Sequence, residues 1–214
     1  MLRLHIIGIC FGLVANSSQA QIPVEIFIGH EKATIDLMFF KYFKNNSGVD
    51  SKWLFFNRNR ALIDYEQTTT SNLPQFGFTE AVSYNHKSLK GVAPVLVGQI
   101  LNRGTFVKGG IQYALIRKDF TVFSWVVSEL KSQPSVDFFL MVRYTPKISE
   151  KYNLFAQLET INVFPTKADV SNSYTQRLRI GMKRSQWQSG LGADFNQSVQ
   201  TANSNLGVFI RHEF

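Results

Sequence analysis

The stretch that decides the fold is Leu206-Gly207-Val208-Phe209-Ile210-Arg211-His212-Glu213-Phe214. Taken at every second position it reads Leu, Val, Ile, His, Phe, and the intervening positions read Gly, Phe, Arg, Glu. Side chains alternate between the two faces of a β-strand, so this pattern predicts one apolar and one polar face. The stretch therefore indicates a strand that separates an apolar environment from a polar one.

The same alternation runs through the two preceding segments. In 174–183, Leu178, Ile180 and Met182 alternate with Arg177, Arg179, Gly181 and Lys183. In 186–196, Trp187, Leu191, Ala193 and Phe195 share one face, and glutamines, glycines, Asp194 and Asn196 share the other. Three consecutive strands of this kind favour an antiparallel sheet.

A soluble sheet would show the same periodicity, so the lengths of the connections must distinguish a soluble sandwich from a membrane barrel. The link between these two segments is as short as Arg184-Ser185. Sandwiches need longer crossovers for their Greek keys, whereas an up-and-down barrel needs none. The apolar face also continues to Phe214. We therefore predict an all-β transmembrane antiparallel β-barrel rather than a soluble sandwich.

Segments of strand composition recur along the whole chain. The candidates are 22–29, 33–44, 52–66, 75–87, 92–102, 105–117, 119–131, 135–146, 152–164, 172–184, 186–198 and 205–214. They predict twelve strands, with ten as the alternative. The first two candidates could also be one long strand with a bulge, and segment 21–32 is either a strand or a periplasmic extension. Leu37 to Phe43 alternates poorly, and Arg58 and Arg60 share parity with apolar residues. Bulges, or a segment extending beyond the membrane, would explain both irregularities.

The first twenty residues have the pattern of a cleaved export signal. Arg3 gives a positive n-region, residues 6–14 a short apolar core, and Ser18-Gln19-Ala20 the small residues that precede cleavage. The apolar core is shorter than the ~20 residues of a spanning helix. We therefore predict a signal peptide over 1–20 and a single barrel domain over 21–214, in the outer membrane of a Gram-negative cell.

Composition narrows the function further. The sole cysteine, Cys10, lies in the predicted signal, so the mature chain would have no disulfide, thiolate catalysis or cysteine-bound metal. Loss of Arg3 with the signal lowers the formal net charge from +8 to +7. Export argues against nucleic acid as the partner of this basic chain. Anionic solutes, lipid headgroups or an acidic protein remain.

Two resemblances add to this interpretation. The alternating segment that ends in Phe214 resembles the C-terminal signature of bacterial outer-membrane proteins, with His212 in place of the usual apolar residue. That likeness implies that the barrel-assembly machinery reads Phe214 during biogenesis. The aromatic segments Met38-Phe39-Phe40 and Trp53-Leu54-Phe55-Phe56, with twelve strands, resemble the nucleoside-specific (Tsx-like) channels. That group implies a narrow monomeric barrel that passes nucleosides or similar solutes.

Charged side chains on the predicted inner face form the candidate site. The predicted lumen and solute-binding residues are Lys108, Arg143, Glu159, Arg177, Arg179, Lys183, Asp194 and Arg211, with Asp137 and Glu213 on matching parity. Rings of Arg and Lys in a pore attract anions. Alternatively, Arg–carboxylate pairs fill and brace a closed barrel. Inward aromatics such as Phe139 and Phe209 could stack on a base or sugar, or simply pack the wall.

An enzymatic alternative starts from His86 and Ser88. They are two residues apart, hence on one face of a strand, with Glu80 on the same parity. A His-x-Ser pair resembles that of the lipid A deacylase family, but the following Leu89-Lys90-Gly91 departs from the family pattern. The histidines His30, His86 and His212 are not spaced as a zinc site, and no phosphate-binding glycine loop is present.

The prediction is thus a passive channel for small, anionic or nucleoside-like solutes, with no cofactor or metal, no nucleic acid and no chemistry. A non-conducting structural or accessory subunit of an envelope complex is the alternative, and a lipid-modifying enzyme comes third. Outer-membrane lipid, the assembly machinery and a protein of an envelope complex are the expected partners.

Overall fold

The computed structural model describes residues 22–66, 75–102, 104–167, 170–198 and 201–214. The predicted signal peptide, residues 1–20, lies outside these ranges. No helix within them is long and apolar enough to cross a membrane. Apart from a single 3-10 turn at Lys87–Leu89, the regular structure they contain is β-strand.

The strands form one closed antiparallel barrel in which each strand pairs with its neighbours in the sequence. The pairing of β1 with β12 closes the ring, so no sheet edge is left open. The twelve strands found in the described residues are β1 Pro23–Gly29, β2 Lys32–Lys44, β3 Asp50–Asp64, β4 Gln75–Tyr84, β5 Val92–Leu101, β6 Gly104–Ile116, β7 Phe120–Glu129, β8 Ser135–Tyr144, β9 Asn153–Pro165, β10 Ser173–Arg184, β11 Trp187–Ser198 and β12 Ala202–Glu213. The prediction of a twelve-stranded up-and-down barrel is confirmed.

The strands are strongly tilted. Adding the pairing registers around the ring gives a stagger of about 16 residues per circuit, which for twelve strands corresponds to a tilt of roughly 45°. One residue along a strand then advances roughly 2.3 Å along the barrel axis. Ten residues are therefore enough to cross the hydrocarbon layer.

The outer surface has an apolar belt between two aromatic girdles. Belt residues that are exposed at mid-strand are Ile26, Leu96, Ile111, Val126, Leu158, Leu178, Leu191 and Val208. The girdle at the end that carries the chain termini, here called the terminal girdle, contains Trp53, Tyr84, Tyr144, Trp187 and Phe214; the girdle at the other end, the far girdle, contains Tyr65, Phe76, Phe164 and Phe195. Such a surface is stable only against lipid, with the aromatic rings at headgroup level.

The described part of segment 21–32, residues 22–32, forms a strand followed by a tight turn, not a periplasmic extension. Pro23 to Gly29 pairs with β12 on one side and β2 on the other. The turn is held from β12 by Asn205, whose Oδ1 accepts from the backbone amides of Glu31 (2.9 Å) and Lys32 (3.2 Å). Asn205 Nδ2 donates to the carbonyl of Lys32 at 2.9 Å. The ten-strand alternative is therefore wrong.

The irregular pattern of β2 and β3 has a different cause from the one expected. The pairing of these strands is regular from Lys32 to Tyr42, with one irregularity between Tyr42 and Lys44. Met38 and Phe40 point inward and still lie among apolar side chains, while outward Phe39 faces the belt. Both faces are apolar here because this part of the barrel interior is itself apolar.

Candidate functional site

All eight predicted lumen residues point into the barrel. Six are at most 5% exposed, and Arg143 and Lys183 are half-buried. Their inward direction follows from the alternation, since outward Leu178 and Ile180 separate Arg177, Arg179 and Gly181 on β10. Asp137 and Glu213, predicted on the same parity, also face inward and are 6% and 8% exposed.

Register brings opposite charges into direct cross-strand pairs. Arg177 on β10 lies opposite Glu159 on β9 and opposite Asp194 on β11. Arg179, the next inward residue, lies opposite Gln157. Directly opposite Cβ atoms in a sheet are ~5 Å apart, so Arg177 has a carboxylate on each side, whereas Arg179 has Gln157 on one side and Gly192 on the other.

The first charge cluster is centred on Asp36. Arg58 donates to both of its carboxylate oxygens, from Nε at 3.2 Å and from Nη2 at 2.5 Å. Arg177 Nη1 donates to Asp36 Oδ2 at 2.9 Å. Arg58 Nη1 also lies 2.9 Å from Glu159 Oε2, and Arg177 Nη1 lies 3.6 Å from the same oxygen. Two guanidinium groups thus share two carboxylates at about 10% exposure or less.

The second charge cluster adjoins the first and is centred on Glu25. Arg179 Nε donates to Glu25 Oε1 at 2.9 Å, and Arg211 donates to Oε2 from Nε at 3.0 Å and from Nη2 at 2.5 Å. Arg179 also donates to Asp194 at 2.7 Å, and Arg60 lies 3.3 Å from that carboxylate. Arg179 and Arg211 further lie over the rings of Phe27 and Phe155, at 4.0 and 4.8 Å.

Four members of these clusters were not among the lumen residues predicted from the sequence: Glu25, Asp36, Arg58 and Arg60. A signal did exist for two of them, because Glu25 alternates with Val24 and Ile26, and Asp36 alternates with Ile35 and Leu37. The arginines gave no such signal. Arg58 and Arg60 lie on the same face of β3 as Leu54 and Phe56. Because that face changes from apolar to charged along the strand, the sequence did not show whether it points inward or outward.

The remaining predicted residues make separate ion pairs. Lys108, with a fully buried side chain, pairs with Asp137. Lys183 Nζ donates to Glu213 Oε2 at 2.6 Å. Arg143 differs, since its Nε donates to the amide oxygen of Gln157 at 2.7 Å and no carboxylate within the described residues pairs with it.

Facing the charge clusters, β3–β8 line the interior with an apolar wall, here called the aromatic wall. Phe56 and Phe123 stack with their centroids 5.2 Å apart and their planes 7° apart. Trp125 meets Phe56 edge-on at 5.1 Å, and Phe139 lies 5.1 Å from Trp125. Phe139 and Phe209, the predicted inward aromatics, are each 3% exposed and pack against other rings.

Space inside the barrel is narrow in the middle and wider at the terminal end. Between the aromatic wall and the charge clusters lies a cavity of about 60 Å³ that includes Phe56, Arg58, Trp125 and Asp137 in its lining. A recess of about 710 Å³ opens at the terminal end, lined by Lys118, Asp119, Thr145, Lys147, Asn153 and Lys183. A recess of about 320 Å³ near the far end of β10–β12 is lined mainly by outward residues such as Tyr174, Gln176 and Phe195, so it lies on the outer surface. Side chains therefore form a constriction inward of a wider terminal mouth.

Several guanidinium donors inside the barrel have no hydrogen-bond partner: Nε of Arg60, Nη2 of Arg143, and Nε and Nη2 of Arg177. The buried and half-buried inward charges carry a small basic excess. Apart from the Lys32–Asp64 pair, seven acidic residues (Glu25, Asp36, Glu129, Asp137, Glu159, Asp194 and Glu213) face eight basic ones (Arg58, Arg60, Lys108, Arg143, Arg177, Arg179, Lys183 and Arg211). Two carboxylate oxygens of the lumen, Asp137 Oδ1 and Glu159 Oε2, also lack a hydrogen-bond partner. Buried unpaired groups of this kind are positions that water or an ion can satisfy.

His86 and Ser88 do not lie on a strand face, contrary to the prediction, because β4 ends at Tyr84. His86 caps the 3-10 turn: its Nδ1 accepts from the Ser88 amide at 3.3 Å and lies 2.5 Å from the Ser88 hydroxyl. Glu80 accepts a hydrogen bond from Asn57 on the outer face of the barrel instead of joining this pair. The pair is thus a local turn contact, without the orienting acid that nucleophilic catalysis requires.

Among the described residues, no group of three or more His, Cys, Asp or Glu could hold a metal ion. Phe214, the predicted assembly signal, is 69% exposed at the terminal girdle and lies against the ring of His212 at 4.4 Å. Its recognition by the assembly machinery stays a prediction.

No protein-family model matches the chain, and no curated protein matches it. Solved structures do share the fold. The chain is similar to the NanC porin, with a TM-score of 0.54 and 11% identity over 91% of this chain and 98% of that one. It is also similar to the KdgM porin, with a TM-score of 0.49 and 11% identity over 91% and 99% of the two chains. The likeness to the NanC porin shows that the chain has the fold of a bacterial outer-membrane β-barrel, and at this identity it concerns the fold alone.

Proposed function

We propose that this protein is a narrow outer-membrane channel for small anionic solutes that carry an apolar or ring-shaped face. The observation that carries the proposal is the division of the interior into two unlike walls. Arginines with unpartnered donors line one side, and the aromatic wall lines the other. An anion with a sugar or base ring would find hydrogen-bond donors and a stacking surface at the same level of the barrel.

The carboxylates give the arginines their geometry. Asp36 and Glu25 each hold two guanidinium groups in place through hydrogen bonds or ion pairs, and Asp194 holds three. A fixed guanidinium loses little side-chain entropy when it binds a further acceptor. The excess of one basic side chain makes the lumen weakly electropositive, which raises the local concentration of anions and lowers that of cations.

Basic side chains at the terminal mouth extend the positive electrostatic potential of the lumen. Lys118, Lys147 and Lys183 line its recess together with a single acid, Asp119, and Arg143 lies inward of it with no carboxylate partner among the described residues. A basic mouth collects anions from solution and passes them towards the constriction. The nucleoside-like solutes suggested by sequence would use the aromatic wall in the same way, and their identity stays a prediction.

Insertion in the outer membrane is part of the proposal. The apolar belt and its two girdles support it, because a closed barrel with this exterior satisfies its backbone hydrogen bonds without water. Export by the signal over residues 1–20 would bring the chain to that membrane.

The second candidate is a non-conducting structural barrel in an envelope complex. The small central cavity favours it, since the ion pairs and the aromatic wall leave little free cross-section. The two candidates differ in whether solutes can displace the water and side chains of the constriction.

The test is single-channel recording of the refolded mature protein in planar bilayers under a KCl gradient. Small, stable steps with an anion-selective reversal potential are the expected result. Blocking by phosphorylated sugars or nucleotides, but not by their neutral counterparts, would identify the solute class. A barrel that folds, as shown by heat-modifiable migration in gels, and yet stays silent would overturn the channel and support the structural candidate.

A further inference from the structure

A polar cluster interrupts the apolar belt on the outside of β3 and β4. It consists of Asn57, Asn59 and Glu80, called here the outer polar cluster. Asn57 and Asn59 occupy outward positions of β3, and Glu80 lies directly opposite Asn57. These side chains are on the lipid side of the barrel wall, separate from the charge clusters inside.

The cluster lies at the middle of the membrane. The outward residues of β4 are Phe76, Phe78, Glu80, Val82 and Tyr84, so Glu80 is four residues from an aromatic of each girdle, or roughly 9 Å along the axis at this tilt. On β3, Asn59 is six residues from both Trp53 and Tyr65. Both strands place the cluster halfway between the two girdles.

The three side chains form a hydrogen-bonded chain that is incomplete. Asn59 Nδ2 donates to Asn57 Oδ1 at 3.2 Å, and Asn57 Nδ2 donates to Glu80 Oε1 at 3.0 Å. Asn59 Oδ1 is buried and has no partner. Glu80 is exposed, and its Oε2 has no hydrogen bond from any residue the structure describes. The hydrogen-bonded series thus ends at Asn59 with an amide oxygen that lacks a donor, and at Glu80 with a carboxylate oxygen that lacks one.

A carboxylate at this depth is poorly solvated if it faces hydrocarbon. Other charged side chains at outward positions of the described strands lie near strand ends, as Lys41 and Arg184 do, where they reach the interface. Elsewhere around the barrel the same level is occupied by residues such as Leu96, Leu178 and Leu191. The β3–β4 face is therefore adapted to something other than lipid.

We infer that a second copy of this chain packs against the outer polar cluster inside the membrane. All copies insert with the same orientation, so a two-fold axis along the membrane normal brings residues of equal depth together. Because the strands are tilted, the residue opposite Asn59 on β4 lies roughly 3 Å closer to the far girdle than Asn59 does. Glu80 lies two residues further along β4, roughly 5 Å back towards the terminal girdle. Asn59 and Glu80 are therefore within about 2 Å of the same depth.

Equal depth makes the face self-complementary. The second N–H of the Asn59 amide in one copy can donate to the Glu80 carboxylate of the other copy, and the reverse contact forms by symmetry. Gly98 on β5 lies directly opposite Glu80, and no atom lies within 4 Å of where its Cβ would be. This shallow depression lets two barrels approach closely, as small residues do at membrane interfaces.

The test is the monomer–dimer equilibrium of the refolded protein in liposomes, followed by Förster transfer between labelled copies as lipid is added. The wild type is expected to dimerise, and Glu80→Leu to weaken association at least tenfold while the barrel remains folded and heat-modifiable. Leu178→Ala, at the same depth on β10, is the matched control and is expected to dimerise like the wild type. A wild type that stays monomeric at every lipid ratio, or a Glu80→Leu variant that associates normally, would overturn the inference.

Cross-linking gives a second readout. Residues 21–214 contain no cysteine, so Gly98→Cys introduces a single thiol beside the cluster, and Leu178→Cys introduces one away from it. Oxidation is expected to link Gly98→Cys into dimers and to leave Leu178→Cys monomeric; equal linking of both would contradict the interface. Capture of a different outer-membrane protein by a wild type that does not pair with itself would also contradict it. Channel conductance is measured separately, so either proposal can fail without the other.

Discussion

Two substitutions in the charge cluster around Asp36 are expected to change the ion selectivity of the channel in opposite directions. Glu159→Gln removes one negative charge, and Arg177→Gln removes one positive charge a few ångströms away. Asp36 keeps Arg58 as a partner after either change. Arg58 likewise keeps Asp36, so the network is expected to survive both substitutions and the barrel to fold.

The expected magnitude follows from the distance between the altered charge and a permeating ion. A unit charge about 6 Å from the ion, at an effective dielectric constant of roughly 40–80, changes its energy by about 0.7–1.4 kcal/mol. That corresponds to about a three- to tenfold change in local anion concentration, with the opposite change for cations. The ratio of chloride to potassium permeability is thus expected to rise by about tenfold or more in Glu159→Gln and to fall similarly in Arg177→Gln.

Reversal potentials in planar bilayers under a KCl gradient provide the measurement. Leu178→Ala, on the lipid face of the same strand, serves as the control and is expected to leave selectivity unchanged. Shifts of the same sign in the two charge variants, or no shift in either, would refute the argument that ions pass the cluster. Heat-modifiable migration of each variant would establish that folding is not the cause.

Three further outcomes are expected. Asn205→Ala removes the three hydrogen bonds that hold the β1–β2 turn and should lower the free energy of unfolding by about 2–3 kcal/mol, measured by urea titration in detergent micelles; no change would show that the turn is held otherwise. Phe123→Ala should destabilise the barrel by about 3–5 kcal/mol and enlarge its single-channel step, because it opens the aromatic wall; an unchanged step would exclude this wall from the pathway. Phe214→Ala should slow assembly in cells but leave refolding in detergent nearly unchanged, as followed by heat-modifiable migration, whereas equal slowing in both would indicate a purely structural role for the ring.

The sequence by itself determined the class of the fold and the direction of many side chains. Alternation with a period of two is a local property of an extended chain, so β10, β11 and β12 reveal their inward and outward faces without any tertiary information. Arg177, Arg179 and Asp194 were placed in the interior on that basis. Short connections and an apolar face that continues to Phe214 favoured a barrel over a sandwich, and twelve segments predicted the strand number.

Only the tertiary structure decided which charges meet. Glu25 and Arg211 form an ion pair although 186 residues separate them, because closure of the ring pairs the first strand with the last. Alternation failed on β2 and β3 since the interior is itself divided, and Arg58 follows Leu54 and Phe56 on one inward face. The same holds for the outer face of the barrel, where the depth of Glu80 in the membrane follows from the tilt of the strands. Tilt and closure depend on the register of every strand in the ring, which no single stretch of sequence contains.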